Sequence, residues 1–135
     1  MAQYADIVNV NVIPERLAAG DGATIEVDVE NLYAAVISIS VTGIAYYYVP
    51  GVGYLPYTLS FQPSYANPDP ETSFRFSAFF TMPTCTRMTA YINSYWYGSD
   101  GQWHLDDAVE VTIKEEGEPE EGEFSNFVIS AVNKV

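Results

Sequence analysis

The stretch Ile25-Glu26-Val27-Asp28-Val29-Glu30 places apolar and charged residues strictly in turn. Successive side chains of a β-strand point to opposite faces, so this stretch predicts a strand with an apolar face in a core and a solvated acidic face. The same period of two recurs in six further stretches: Ile7–Val12, Ile37–Val41, Leu55–Phe61, Phe74–Phe80, Met88–Tyr97 and Ala108–Lys114. We therefore expect about seven short strands.

Glycine, proline and aspartate separate these strands. Gly20-Asp21-Gly22, Pro50–Gly53, Asn67–Pro70 and Asp100-Gly101 all have the composition of turns. Asp100-Gly101 lies between two aromatic-rich runs, which is typical of a hairpin. Short strands with turns at intervals of roughly a dozen residues indicate an antiparallel sandwich. We predict an all-β, immunoglobulin-like antiparallel β-sandwich over residues 1–114.

The alternation also predicts which side chains fill the space between the two sheets. The predicted core residues are Ile25, Val27, Val29, Phe76, Ile92, Trp96, Val109 and Val111. In the first strand, the same reasoning puts Val8, Val10 and Val12 on one side. A shift of one residue would move a whole set to the other face. An exposed Trp96 would therefore show that the predicted phase is wrong.

The C-terminus differs in composition from the rest of the chain. Residues 115–123 contain six glutamates, one proline and two glycines, so we predict an extended acidic linker. Residues 124–135 are apolar and strand-like, and a lone strand is not stable in water. We expect this strand to pair with the sheet edge of a neighbouring chain, or alternatively to add to its own sheet. Its predicted anchors are Phe124, Phe127 and Ile129, with Ala131 on the same side under strict alternation.

The charge and the termini exclude several classes of protein. The 135 residues include 18 acidic and 5 basic ones, for a formal net charge of −13. Such a field repels phosphate, so neither nucleic acid nor an anionic membrane is an expected partner. No signal peptide is visible, and no apolar stretch approaches the roughly 20 residues that span a bilayer. Cys85 is the single cysteine, which excludes an intramolecular disulfide.

Several segments resemble one family of modules. Ala5–Val8, Gly20–Asn31, Phe80–Pro83, Thr89–Tyr91 and Trp103–Asp107 are similar to the first, second and last three strands of bacterial and archaeal cell-adhesion-related immunoglobulin-like domains. Such domains occur in surface proteins and in fibre and capsid-decorating proteins of viruses. The resemblance implies an immunoglobulin-like fold and a virion or extracellular location. It covers turn and core positions, so it indicates fold more than function.

No set of residues points to catalysis. His104 is the only histidine, which excludes a two-histidine acid–base or metal site within one chain. Cys85, His104 and Asp106 could formally provide a nucleophile, a base and an orienting carboxylate. Cys85 nevertheless lies in a predicted turn, Pro83–Thr86, without a motif that would position a nucleophile. We predict that the protein is not an enzyme and uses no cofactor.

Three aspartates near the predicted hairpin are the candidate metal ligands. Clustered oxygens of Asp100, Asp106 and Asp107 would suit a hard cation such as calcium. The chain lacks the spacing of an EF-hand. The alternative is that Asp100 caps the turn and that the other two carboxylates are solvated.

Aromatic residues are the most informative excess, with 11 tyrosines, 7 phenylalanines and 2 tryptophans. Alternation places Ile92 and Trp96 on one face of their strand and Tyr91, Tyr95 and Tyr97 on the opposite face. The predicted outward patch is Tyr91, Tyr95, Tyr97 and Trp103. Tyrosine offers large contact area at low entropic cost, so the patch indicates a protein interface. The alternatives are a stacking platform for sugars and a patch covered by the chain's own segment Pro50–Pro70.

These observations favour a non-enzymatic structural protein. We predict a self-associating β-sandwich of a virion, of decoration or fibre type, or of a surface filament, with copies of itself or other proteins of the same assembly as partners. The alternative is a carbohydrate-binding module that uses the tyrosine and tryptophan patch to bind a glycan.

Overall fold

A computed structural model of the chain describes residues 2–85, 87–115 and 127–135. These residues form eight β-strands: β1 Ala5–Ile13, β2 Gly22–Asn31, β3 Ile39–Val49, β4 Gly53–Leu59, β5 Ser73–Thr81, β6 Arg87–Tyr97, β7 Trp103–Glu115 and β8 Phe127–Lys134. Gly20, Gly51 and Gly101 adopt positive φ in the connections, as the predicted turns require. Within these ranges, no helix is long and apolar enough to cross a membrane.

The strands form two antiparallel sheets. The first has the order β1-β2-β5 and the second the order β4-β3-β6-β7-β8. Both sheets contribute apolar side chains to one core cluster. The prediction of an all-β antiparallel sandwich is confirmed at this level.

The core contains seven of the eight residues that alternation placed there. Each of them is at most 2% exposed: Ile25, Val27, Val29, Phe76, Ile92, Val109 and Val111. Phe80, Met88 and Ile113 fill the same layer. Side chains of this size each contribute roughly 1.5–3 kcal/mol when fully buried, so the layer is the main stabilising feature of the fold.

The eighth predicted core residue, Trp96, is only partly buried. It lies on the predicted face, because it pairs with the buried Ile39. However, it lies at the end of the sandwich, where the sheets no longer cover it completely. Tyr4 contacts it edge-on at 4.8 Å and His104 stacks on it at 4.5 Å between ring centroids. The predicted phase is correct, and the prediction of burial between the sheets is wrong.

A β-bulge corrects the predicted alternation in β1. The register with β2 shifts between Ile7 and Asn9, so Val8 has no partner of its own. Ile7 is buried together with Val12, whereas Val8 is 46% exposed. One extra residue in a strand reverses the side-chain phase on one side of it, which strict alternation does not foresee.

The C-terminal strand β8 pairs with β7 of its own chain. This is the intramolecular alternative rather than pairing with a neighbouring chain. Phe127 is buried and exchanges two backbone hydrogen bonds with Leu17, at 3.0 and 2.6 Å. Ile129 is partly buried against the core. Phe124 and nearly all of the predicted linker lie outside the described residues.

A second bulge, in β8, changes which face of the sheet some of its side chains occupy. Thr112 pairs with Ala131 and the adjacent Ile113 pairs with Ile129, so Ser130 is the extra residue. Cross-strand partners share a face of the sheet. Ala131 therefore lies on the outward side with Thr112, not with Phe127 and Ile129 as predicted.

Candidate interaction surface

The outward side of the five-stranded sheet is rich in exposed aromatic residues. The pairings of β3, β4, β6 and β7 bring side chains from distant parts of the sequence onto this one surface. Its most exposed large members are 38–63% exposed: Tyr46, Tyr54, Tyr91, Tyr97, Trp103 and Leu105. Together with Tyr48 and Tyr95, we call these residues the tyrosine face.

Three of the predicted interface residues, Tyr91, Tyr97 and Trp103, are exposed on this face, and Tyr95 lies there partly buried. The structure thus brings the predicted patch together. The alternative in which Pro50–Pro70 covers the patch is wrong. Residues 53–59 of that segment form β4, which extends the sheet beside β3 instead of lying over it.

The abundance of tyrosine is evident from the sequence, but the place of Tyr46, Tyr48 and Tyr54 beside the predicted patch is not. Tyr46 pairs with Thr89 and Tyr48 with Arg87, which places both on the same side of the sheet as Tyr91, with the ring of Tyr46 in contact with that of Tyr91. This neighbourhood depends on the long-range register of β3 with β6. Local alternation within β3 could show only that Tyr47 points the other way, toward the core.

The rings of the tyrosine face form three tilted pairs. The ring centroids of Tyr46 and Tyr91 are 6.1 Å apart and their planes meet at 66°. The corresponding values are 5.1 Å and 55° for Tyr48 with Tyr54, and 5.1 Å and 59° for Tyr97 with Trp103. Edge and tilted arrangements are favourable for aromatic pairs. They do not form a coplanar platform, which is the shape that would suit stacking of successive sugar rings.

An open groove of about 550 Å³ crosses one part of this face. Its walls are formed by Tyr46, Tyr54 and Tyr91, and its charged lining residues are Arg87 and Glu110. The Arg87 guanidinium donates a 2.7 Å hydrogen bond to the Tyr54 hydroxyl oxygen. This hydrogen bond raises the pKa of Arg87 above its ordinary value. The groove therefore combines apolar walls with a fixed positive charge.

The cations on the tyrosine face lack acidic partners within the described part of the chain. Arg87 and Lys114 are directly opposite one another in β6 and β7, and no salt bridge involves either. By contrast, Arg75 pairs with Asp28 at 2.8 Å, and Lys134 pairs with Asp6 at 3.0 Å. Two like charges facing each other across strands are destabilising. Among the described acidic residues, therefore, none compensates the charge of these two cations.

The outward side of the three-stranded sheet has the opposite character. Its central strand β2 presents Glu26, Asp28 and Glu30, as predicted from the alternation. Arg75 on β5 contacts two of these carboxylates, Glu26 at 3.5 Å and Asp28 at 2.8 Å. The hydrogen bond from Arg75 holds the pKa of Asp28 below its ordinary value. This sheet therefore has a solvated, acidic outer face.

The predicted calcium ligands do not form a metal site. The Asp106 carboxylate accepts hydrogen bonds from the backbone N–H groups of Gln3, Tyr4 and Ala5 at 2.6–2.7 Å. The Asp107 carboxylate is buried and accepts from Ile7 N–H at 2.9 Å and from Lys134. In the described ranges, no group of three or more histidine, cysteine, aspartate or glutamate residues could hold a metal ion.

These two aspartates instead attach β1 to the five-stranded sheet. Asp106 is the extra residue of a bulge in β7 opposite Ser94 and Tyr95. Ser94 completes the contact, because its hydroxyl donates to the Ala5 carbonyl at 2.6 Å. Burial alone would raise the pKa of Asp107. The hydrogen bonds from Lys134 and from Ile7 N–H more than offset this and lower it.

The third candidate, Asp100, pairs with His104 at 2.9 Å. The hydrogen bond from His104 lowers the pKa of Asp100. Cys85 lies two residues before the beginning of β6, whereas His104 pairs with Trp96 near the end of that strand. About nine residues of strand separate these two ends, which corresponds to roughly 30 Å. The structure therefore does not bring Cys85 and His104 together as a nucleophile and its base.

No family model and no curated protein matches the chain. Among solved structures, the chain is similar to the sporulation control protein Spo0M of Bacillus subtilis, with a TM-score of 0.42 and 8% sequence identity. That similarity covers 98% of this chain and 89% of Spo0M.

Proposed function

We propose that this chain is a non-enzymatic structural module of the immunoglobulin-like type that assembles with further copies of itself through the tyrosine face. The supporting observation is the concentration of exposed aromatic side chains on one side of one sheet. Aromatic residues are enriched and acidic residues depleted at the centres of protein interfaces. The tyrosine face has both properties, whereas the outer face of the other sheet has neither.

The size of the sheet is adequate for a stable contact. Five strands spaced about 4.8 Å apart and the 11 residues of β6 give a surface of roughly 24 by 37 Å, about 900 Å². Standard interfaces bury about 800 Å² on each partner. The face can therefore supply a complete interface without help from the loops.

The distribution of charge favours this face as the point of approach. Two copies that each carry a charge of −13 repel one another over most of their surfaces. Three charged residues occupy the paired outward positions of β6 and β7, and two of them are the cations Arg87 and Lys114. Repulsion is therefore weakest there.

The order of the strands supports an immunoglobulin-like classification. The first, second and fifth strands share one sheet, and the third, sixth and seventh share the other. This distribution corresponds to the A-B-E and C-F-G strands of such sandwiches. With the family resemblance, it supports a place in a virion, of decoration or fibre type, or in an extracellular surface filament.

Native mass spectrometry of the wild-type chain and of two alanine variants tests self-association. Tyr91→Ala removes a central ring of the tyrosine face, and Phe79→Ala removes an exposed aromatic ring from β5 of the other sheet. We expect oligomers for the wild type and the Phe79 variant, and a shift toward monomer for Tyr91→Ala. A wild-type chain that stays monomeric over the accessible range of concentrations would refute the proposal.

A carbohydrate-binding module is the second candidate, since Tyr97 and Trp103 lie in contact at 5.1 Å on an exposed surface. A glycan array distinguishes the two functions. Saturable glycan binding that is lost in Tyr95→Ala, with the wild type monomeric, would favour the carbohydrate module over self-association.

A further inference from the structure

We infer that two copies of the chain pack tyrosine face to tyrosine face about a two-fold axis that runs along the row Tyr46–Thr89–Thr112. This inference rests on the proposed function and adds a specific arrangement to it. It is derived from the register of the strands and from the uncompensated charges on the face.

The register arranges the outward side chains in rows that run across the strands. One row contains Tyr48, Arg87 and Lys114, and the next contains Tyr46, Thr89 and Thr112. The third row contains Ile44, Tyr91 and Glu110. The cations thus lie one row to one side of the Thr89–Thr112 row, and the acid lies one row to the other side.

A two-fold axis in the plane between two such sheets exchanges the outer rows. It maps each position along a strand to the same distance on the other side of the axis, and it keeps each strand opposite its own copy. Lys114 of one copy then faces Glu110 of the second, and Arg87 faces the ring of Tyr91. Lys114 thus gains an ion pair and Arg87 gains a cation–π contact, and each contact occurs twice by symmetry.

The twist of the sheets limits these pairings to the centre of the contact. Aligned sheets pack with their strands about 30° apart, so positions far from the crossing point diverge. β6 and β7 are inner strands of the five-stranded sheet, and both contribute to the central row. The pairings of Lys114 and Arg87 therefore fall where the two sheets are closest.

Charge exchange within β7 tests the axis. Glu110 and Lys114 are four residues apart in one strand, about 13 Å, so their side chains do not contact each other within one chain. We expect Glu110→Lys and Lys114→Glu each to raise the dimer dissociation constant by about tenfold or more, because each creates two like-charge pairs at the interface. The double variant should restore a constant close to that of the wild type.

Net charge alone predicts a different pattern. Glu110→Lys makes the chain less acidic, so simple repulsion between copies would predict tighter association. Glu30→Lys is the matched control, since it makes the same reversal on the outward side of β2 in the other sheet. Sedimentation equilibrium of these variants separates the two effects.

The outcomes for the inference and for the proposed function are distinct. Suppose that Tyr91→Ala abolishes the association seen for the wild type, but the double charge exchange does not restore the dissociation constant. The axis is then wrong, and self-association through the face stands. If Glu110→Lys tightens association as much as Glu30→Lys does, the axis is also wrong. A wild-type chain that never associates overturns both.

Discussion

The buried carboxylate of Asp107 provides the most quantitative prediction about stability. Its side chain is 2% exposed, whereas that of its partner Lys134 is 49% exposed. Asp107 also accepts hydrogen bonds from Ile7 N–H and from Ala108 N–H, each at 2.9 Å. Removal of the carboxylate therefore leaves the buried Ile7 N–H without an acceptor. Removal of the lysine leaves the carboxylate with both backbone donors.

The expected magnitudes follow from this asymmetry. Loss of one member of a buried, hydrogen-bonded charge pair costs about 3–5 kcal/mol, so we expect that loss of unfolding free energy for Asp107→Ala. Lys134→Ala should cost only about 1 kcal/mol, because the lysine side chain is half exposed and its attraction to the carboxylate is screened by solvent. Asp107→Asn keeps one oxygen acceptor for Ile7 N–H and should lie between the two.

Urea unfolding followed by circular dichroism measures all three variants under the same conditions. The expected order of stability is wild type, Lys134→Ala, Asp107→Asn and then Asp107→Ala. Equal costs for Asp107→Ala and Lys134→Ala would show that the pair acts only through its mutual attraction. In that case Asp107 would not attach β1 to the second sheet through its bond with Ile7 N–H.

Three further results follow from the structure. The folded pKa of Asp107 is lowered and that of Lys134 is raised, relative to ordinary values of about 3.9 and 10.4. The unfolding free energy of the wild type should therefore exceed that of Asp107→Ala by a constant amount between these two pH values. This difference should decrease as pH falls through the folded pKa of Asp107, and decrease again as pH rises through that of Lys134. A difference that stays constant down to strong acid would contradict this. Trp96→Ala should cost about 3 kcal/mol in urea unfolding, at the low end for a tryptophan, because the ring is only partly buried, and a cost above that of Phe76→Ala would contradict the structure. A chain that ends at Gly122 lacks β8 and the buried Phe127, so its melting temperature should fall while native mass spectrometry shows an unchanged oligomeric state; a changed state would restore the prediction that β8 pairs with a neighbouring chain.

The strands and most of the core could be predicted from the sequence because burial on one face imposes a period of two. Ile25, Val27 and Val29 are all buried, and the partner strand β5 contributes Phe76 in the same way. These predictions need only local pattern and the preference of apolar side chains for the core.

The errors in which face a side chain occupies occur where an extra residue interrupts the ladder. Val8 in β1 and Ser130 in β8 are bulged, and the side chains on one side of each change faces. The bulge at Asp106 in β7 has a larger consequence, because it directs two adjacent carboxylates toward β1. A bulge depends on the partner strand, so the sequence of one strand does not reveal it.

The candidate site was predicted in part for a related reason. Tyr91, Tyr95 and Tyr97 are in one strand, and their common face follows from alternation. The addition of Tyr46 to this face depends on the pairing of β3 with β6, which joins Tyr46 to Thr89, 43 positions further along the chain. The charge arrangement of Arg87 opposite Lys114 depends on register as well.

The central claim is that the tyrosine face is buried when the chain assembles. Hydroxyl-radical footprinting read by mass spectrometry, at low and at high protein concentration, measures this for each ring. Tyr46, Tyr54 and Tyr91 on the face should become protected from oxidation as concentration rises. Tyr33 and Tyr65 are 41% and 53% exposed in other parts of the chain and serve as internal controls, which should remain equally reactive. Unchanged oxidation of Tyr91 in a sample that contains oligomers would contradict the account.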